Sequence, residues 1–248
     1  HLAVDAVRQS QPVFQRLNMG RWFALFILLS IGGAAISVWR GWLEVPAQFN
    51  PWAPLDVKAT PNWLTGYKLM RLRGDPELCA QALRSSALRV TPQSDSPGAK
   101  CPLIGALRVQ GGEVALSSSF LASCPLAVAY AMFERHSLQP AAQAIYGQNV
   151  ARLDHLGSFA CRNIYNRESG ALSRHASADA LDIAGFRLAD GRTVNVLRDW
   201  PKQNQDAQFL RQVRDGACEA FSVVLSPDYN AAHRNHFHVD VGRWSVCR

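Results

Sequence analysis

The sequence predicts an α+β domain, a small and largely antiparallel sheet with flanking helices, preceded by one transmembrane helix. Three observations predict it. Trp22 to Trp39 is an unbroken run without a charged residue, dominated by Phe, Leu, Ile, Ala and Gly. At about 1.5 Å per residue such a run just crosses a bilayer core. Beyond it, segments of period two alternate with segments of period 3.6, so strands and helices are mixed along the chain. All six cysteines also lie beyond it.

The first residue is histidine, so the native start is expected elsewhere. Residues 1–21 read as a short cytoplasmic segment, because Arg8, Arg16 and Arg21 precede the apolar run and Arg40 alone follows it closely. Residues 22–43 read as the anchor. Trp22, Trp39 and Trp42 mark its edges, where indole rings favour the membrane–water interface. No small-x-small site follows the run, which favours an uncleaved span over a signal peptide. The segment is apolar on all sides, unlike a half-buried soluble helix. Residues 44–65 hold Pro46, Pro51, Pro54 and Pro61, which exclude a regular helix. They read as an extended linker, with packing through Trp52 and Trp63 as the alternative.

Residues 66–248 form the domain. Pro76 to Leu88 carries Leu78, Ala82, Leu83 and Ala87 on one helical stripe. Ser94 to Lys100 is a polar turn, and Glu113 to Ser118 a strand. Ser123-Cys124-Pro125 starts a helix with proline in its first turn, and Leu126 to Phe133 supplies its buried face. Pro140 to Tyr146 is a second helix, stopped by Gly147. Asn149 to Leu153 and Ser158 to Arg162 read as strands. Ala180 to Leu188 is a strand that turns at Asp190-Gly191 into Thr193 to Leu197. Gln205 to Asp215 is an amphipathic helix ended by Gly216. Ser222 to Leu225 is a strand, Ser226 to Asn235 a loop, and His236 to Val241 the last strand. There are no repeats and no low-complexity segments.

Cys79, Cys101, Cys124, Cys161, Cys218 and Cys247 are even in number and include no close pair of the zinc-thiolate kind. In an exported domain they read as three disulfides, with fifteen connectivities open. The net charge is +7, of which residues 1–43 carry +3. That excess suits an anionic polymer or a membrane surface, and equally plain solubility. No nucleic-acid motif accompanies it, and the sequence names no protein partner.

Two clusters carry the chemistry. Ser173-Arg-His175-Ala-Ser-Ala-Asp-Ala-Leu-Asp182 places a histidine and an aspartate seven residues apart, and His233-Arg-Asn-His236-Phe-His238-Val-Asp240 follows downstream. Phe237, Val239 and Val241 alternate with His236, His238 and Asp240, so the polar set shares one face of a strand. Asp182 alternates in the same way with Leu181 and Ile183. Two adjacent strands then bring Asp182 and His238 together, with His175 reaching in from a loop. Two imidazoles and a carboxylate make a three-ligand set for a catalytic zinc, with a fourth position open. A lone His-x-His is common on surface strands; the conjunction of both clusters is what points to Zn2+. The competing reading is a structural hydrogen-bond cluster.

The first cluster resembles the S-x-H-x-x-G-x-A-x-D signature of the zinc D-Ala-D-Ala peptidases, with Ala178 in place of the glycine. The second resembles the murein-endopeptidase form H-x-x-H-x-H through His233, His236 and His238. It departs from the carboxypeptidase form, whose glutamate base is replaced here by Asn235. Over roughly residues 72–247 the chain is similar to the bacterial extensin-like C-terminal domain family. Cys124-Pro-Leu-Ala, Gly157-Ser-Phe-Ala-Cys-Arg162 and Pro227-Asp-Tyr-Asn-Ala-Ala-His233 carry that likeness. The resemblance implies a LAS-type zinc peptidase-like fold, with peptidoglycan as the partner. The apolar run, its flanking arginines and the cysteines are what place the anchor in the inner membrane and the C-terminal domain in the periplasm or otherwise outside the cytoplasm.

His175, Asp182 and His238 are then the expected metal ligands. His236, assisted by His233, is the expected base in the absence of a glutamate, against the reading of a substrate-orienting histidine. Arg162 matches the arginine that faces the substrate carbonyl or carboxylate in related dipeptidases; the competing reading is a surface ion pair. Ser173 orients a ligand or caps the turn. Asp240 holds the free N–H of a ligand histidine or faces solvent. The implied activity is a membrane-anchored zinc peptidase of peptidoglycan cross-links or stem peptides. The alternative is a catalytically inactive peptidoglycan-binding or envelope scaffold protein that retains the fold.

Overall fold

The computed structural model describes residues 14–98, 100–242 and 244–248, with side chains from Gly20 onward. Residues 1–13 of the expected cytoplasmic segment, Arg8 among them, and the side chain of Arg16 lie outside the described residues. The chain divides into two compact units, His1–Pro46 and Ala47–Arg248.

The first unit is helix α1 (Phe14–Trp39). Its stretch Gly20–Trp39 has a mean hydropathy of 2.0 and is entirely unburied. Such a helix fits a single-pass membrane anchor or a signal sequence. Gly41, at φ 72°, terminates it in the left-handed conformation. The amides of Trp42 and Leu43 then turn back to donate to the Ser37 carbonyl.

The second unit opens with α2 (Thr65–Arg71) and α3 (Pro76–Arg84), then β1 (Arg89–Pro92), β2 (Leu107–Gly111), β3 (Ala115–Leu116) and β4 (Phe120–Ala122). Helix α4 (Cys124–Phe133) continues through a π-helical turn, Glu134–Leu138, into α5 (Gln139–Tyr146). Next come β5 (Val150–Gly157), β6 (Ala180–Leu188), β7 (Thr193–Asn195), α6 (Val196–Asp199) and α7 (Gln205–Ala220). The chain closes with β8 (Val223–Leu225), β9 (Phe237–Asp240) and β10 (Val246–Cys247). The main sheet runs β10-β8-β9-β6-β5-β3, with β7 also on β6, and a small sheet runs β1-β2-β4. Among the described residues, only β10 on β8 and β3 on β5 are parallel. The fold is therefore α+β with a mainly antiparallel sheet.

Local chemistry explains most of these elements. Asp75 and Ser123 cap α3 and α4, each accepting from an amide three residues on, with proline in the first turn. Gly147 ends α5 in the left-handed conformation. The Asp190-Gly191 turn joins β6 and β7 in register, Phe186 facing Val194. Helix α4 is buried on every side, beneath α2, α3 and α7, where a single buried face was expected.

Four expectations need correction. Ser158 to Arg162 is not a strand: Gly157, at φ 124°, turns the chain out of the ladder, and these residues bond to the His175 loop instead. Gly216 does not end the last helix, which runs on to Ala220. A Cβ there would lie 2.6 Å from Ser137 Cβ, so the glycine lets α7 approach the π-helical turn. The stretch expected to be a linker is irregular, as its prolines dictate, yet from Ala47 it belongs to the globular unit. It packs through Leu55 and Val57, while Trp52 and Trp63 stay exposed. Finally, β1, β2, β4 and β10 are strands that the alternation did not announce.

The six cysteines pair as Cys79–Cys124, Cys101–Cys161 and Cys218–Cys247. Three disulfides suit an extracytoplasmic domain.

Candidate metal centre

The register of β6 on β9 builds the centre. Asp182 sits directly opposite His238, and Leu181 opposite Val239. Leu181, Ile183, Phe237 and Val239 point into the core, so the pleat turns Asp182 and His238 to the other face of the sheet. His175 comes from the 3-10 turn Arg174–Ser177, whose cap is Ser173; the Ser173 Oγ accepts from the His175 amide at 3.3 Å. Ser173 thus caps the turn that carries a donor and does not itself reach the other two.

The three donor atoms converge. His175 Nε2 lies 3.2 Å from Asp182 Oδ1, His238 Nδ1 lies 3.0 Å from the same oxygen, and the two nitrogens are 3.2 Å apart. Donors arranged tetrahedrally about 2.0–2.1 Å from one zinc ion lie about 3.3 Å from each other, so the set fits the ion. The outer nitrogens fix which lone pairs face inward. His175 Nδ1–H donates to the Ser158 carbonyl at 2.8 Å, and His238 Nε2–H donates to Asp240 Oδ2 at 3.2 Å. Asp240 Oδ1 is held in turn by the Gly242 amide. Three electron-rich atoms therefore face one another in a nearly buried site, an arrangement that a cation or a proton must neutralise.

The titration behaviour follows from that crowding. Burial alone would raise the Asp182 carboxyl, but the His175 and His238 imidazoles in contact with it hold it well below the usual carboxylate range. Burial alone would lower His238, but its bonds to Asp182 and Asp240 outweigh it and raise the imidazole to about 9. In metal-free protein, His238 carries the positive charge that the anionic partners demand.

Two further histidines border the set. His236 Nδ1–H donates to Asn235 Oδ1 at 2.8 Å, which leaves Nε2 unprotonated and 3.5 Å from Asp182 Oδ1. Burial lowers its pKa; the Asp182 charge opposes this, and His238, His175 and Arg162 add to the lowering, so it is a neutral proton acceptor at pH 7. His233 Nδ1 is paired with Asn230 Oδ1 at 2.8 Å, and its ring lies 5.3 Å from that of His236 and 5.8 Å from that of His238. Burial pushes it down to about 4. Arg162 is half-exposed and makes no ion pair among the described residues, yet its charge is felt at His236. The surface ion pair considered for it is absent there. Its carbonyl accepts from the Ser173 amide at 3.0 Å, and the neighbouring Cys161 is tied to Cys101.

Sequence reasoning missed Asp179. This buried carboxylate accepts from Ser123 Oγ at 2.6 Å, Ser177 Oγ at 2.8 Å, and Arg73 Nη1 and Nη2 at 3.1 and 3.2 Å. It thereby locks the His175 turn to α4 and to the end of α2. The available signal was an acid set between alanines at the start of an apolar strand. Ala178 beside it adopts φ 53°, ψ 32°, the left-handed region where glycine is at ease. Ser158 and Asn230 were also missed, since each acts through a bond that no spacing rule reveals.

The family model described as the C-terminus of extensin-like protein matches residues 77–248. The chain belongs to the extensin-like C-terminal family. No curated protein and no solved structure matches it.

Proposed function

We propose that this member of the extensin-like family is a membrane-anchored zinc peptidase acting on peptidoglycan peptides, related to the LAS-type D-Ala-D-Ala peptidases and murein endopeptidases. One observation carries the reading. His175 Nε2, Asp182 Oδ1 and His238 Nδ1 come within 3.2 Å of one another, each imidazole held from behind with its lone pair inward. The likeness of Ser173 to Asp182 to the zinc D-Ala-D-Ala peptidase signature supports this chemistry. Helix α1 and the three disulfides support placement in the inner membrane with the domain in the periplasm.

A zinc ion held by this set supplies Lewis acidity towards a peptide carbonyl and acidifies water. The residues divide the remaining work. His236 Nε2, neutral and turned towards the centre, accepts the proton of the attacking water and returns it to the leaving amine. His233 packs on His236 and restricts its ring. Arg162 brings a positive charge to the same side, where it faces the developing oxyanion or the substrate carboxylate. Asp240 and the Ser158 carbonyl fix the tautomers of His238 and His175.

Digestion of purified sacculi and defined muropeptides, read by chromatography, tests the proposal. Cleavage should be abolished by a chelator and untouched by β-lactams, which trap serine enzymes. One observation favours a second reading, a catalytically idle wall-binding scaffold: Asn235 occupies the place of the glutamate base. A zinc-loaded, fully oxidised chain that binds sacculi and cuts none of these peptides would establish that reading.

A further inference from the structure

We propose that the loop–helix pair at the start of the globular unit seats the domain on the bilayer that α1 crosses, with Trp52, Trp63, Tyr67 and Met70 entering the headgroup region; this rests on α1 being an uncleaved anchor. A helix of a soluble domain hides its apolar stripe and shows a polar one. Around α2 both stripes are apolar. Leu64, Leu69 and Leu72 are buried, while Trp63, Tyr67 and Met70 are 80%, 44% and 60% exposed. These three lie at i, i+4 and i+7, one continuous outward line.

The loop before α2 widens that line. Lys68 Nζ donates to the Ala47 carbonyl at 2.7 Å, Arg71 Nη1 to the Pro51 carbonyl at 2.6 Å, and Asn62 Nδ2 to the Gln48 carbonyl at 3.0 Å. These bonds hold Phe49 and Trp52 beside the helix, both exposed. Residues 47–73 also carry Lys58, Lys68, Arg71 and Arg73 against Asp56 alone. Of these, Lys58 is exposed and Arg71 half-exposed, while Lys68 is buried and Arg73 is paired with Asp179. Exposed aromatic and methionine side chains in a segment of net positive charge are the composition of a shallow membrane-surface segment, favoured by anionic lipid.

The chain itself names the occupant. The backbone is bonded to the end of α1 as far as Leu43, and the globular unit begins at Ala47. Four peptide steps reach about 14 Å at most. The first residue of the globular unit is therefore never further than that from Leu43, and Phe49 and Trp52 follow it two and five residues on. A surface so tethered meets lipid continuously, at high effective concentration.

The test uses the full chain reconstituted in nanodiscs containing phosphatidylglycerol. A nitroxide is placed at position 67 or 70 through a non-cysteine residue, so that the six cysteines stay paired. Collision with oxygen is compared with collision with a water-soluble nickel chelate. A label at Leu197, equally apolar and exposed but outside the patch, is the control. The proposal expects labels at 67 and 70 to be oxygen-accessible and shielded from nickel, with a ratio severalfold above that at 197. Replacing Trp52 and Trp63 with serine should remove the difference without altering the fold. Nickel accessibility at 67 and 70 equal to that at 197 overturns the proposal. Shielding found only in discs holding two copies also overturns it, in favour of self-association. A mass showing that α1 has been removed from the membrane-extracted protein overturns the premise, and does so independently of any peptidase activity.

Discussion

Raising the pH should destabilise the metal-free protein, and His238 sets the size of the effect. Its folded pKa of about 9 exceeds the unfolded value of about 6.5. A raised folded pKa stabilises fully below the unfolded value, and the contribution is lost as pH climbs through the folded one. The difference of about 2.5 units corresponds to about 3 kcal/mol. Asp182, whose pKa is depressed, contributes stability already complete above about pH 4, so its share does not change in this window. The two shifts describe one contact and are not summed. Denaturant titration of the chelator-treated chain in detergent, at intervals from pH 6 to pH 9.5, measures the loss; His238→Gln removes the titrating group and should flatten this component. Zinc takes the proton's place, so zinc affinity should rise about tenfold per pH unit over the same range. Asp240→Asn removes one of the carboxylates that raise His238 and should weaken zinc binding by about 10–100-fold. An identical pH slope in wild type and His238→Gln would refute the reasoning.

Other consequences follow from individual contacts. His236→Ala should keep its zinc and lose about 10²–10⁴ in turnover, measured on muropeptides beside metal content. Arg162→Ala should likewise keep zinc and lose about 10²–10³. Asp179→Ala leaves Ser123, Ser177 and the half-exposed Arg73 guanidinium without their shared acceptor, at a cost of about 1–3 kcal/mol in denaturant unfolding. Replacing both Cys101 and Cys161 with serine opens a 60-residue loop, a loss of about 4 kcal/mol on the chain-entropy estimate.

The centre was legible because it rests on the strand period. Once Asp182 and His238 alternate with core residues, pairing their strands leaves few ways to arrange the donors, and the observed register sets them opposite each other. The helix starts at Asp75-Pro76 and Ser123-Cys124-Pro125 were legible because capping is local chemistry. What was hidden depends on distant partners. Strand β2 carries Arg108 and Gln110 and is defined by its pairing with β1 and β4. Strand β10 is two residues long, beside the disulfide from Cys247 to Cys218. Gly216 looks like a stop signal until Ser137 is packed against it. Asp179 looks like an ordinary acid until Arg73, 106 positions away, closes on it.

The most direct measurement is zinc content, by plasma mass spectrometry, of the full-length, fully oxidised chain purified without chelator and dialysed against trace zinc. The account predicts one zinc per chain in the wild type and in His236→Ala, and none retained in Asp182→Ala or His238→Ala. A wild-type chain that takes up no zinc, or an Asp182→Ala variant that keeps a full equivalent, would contradict it.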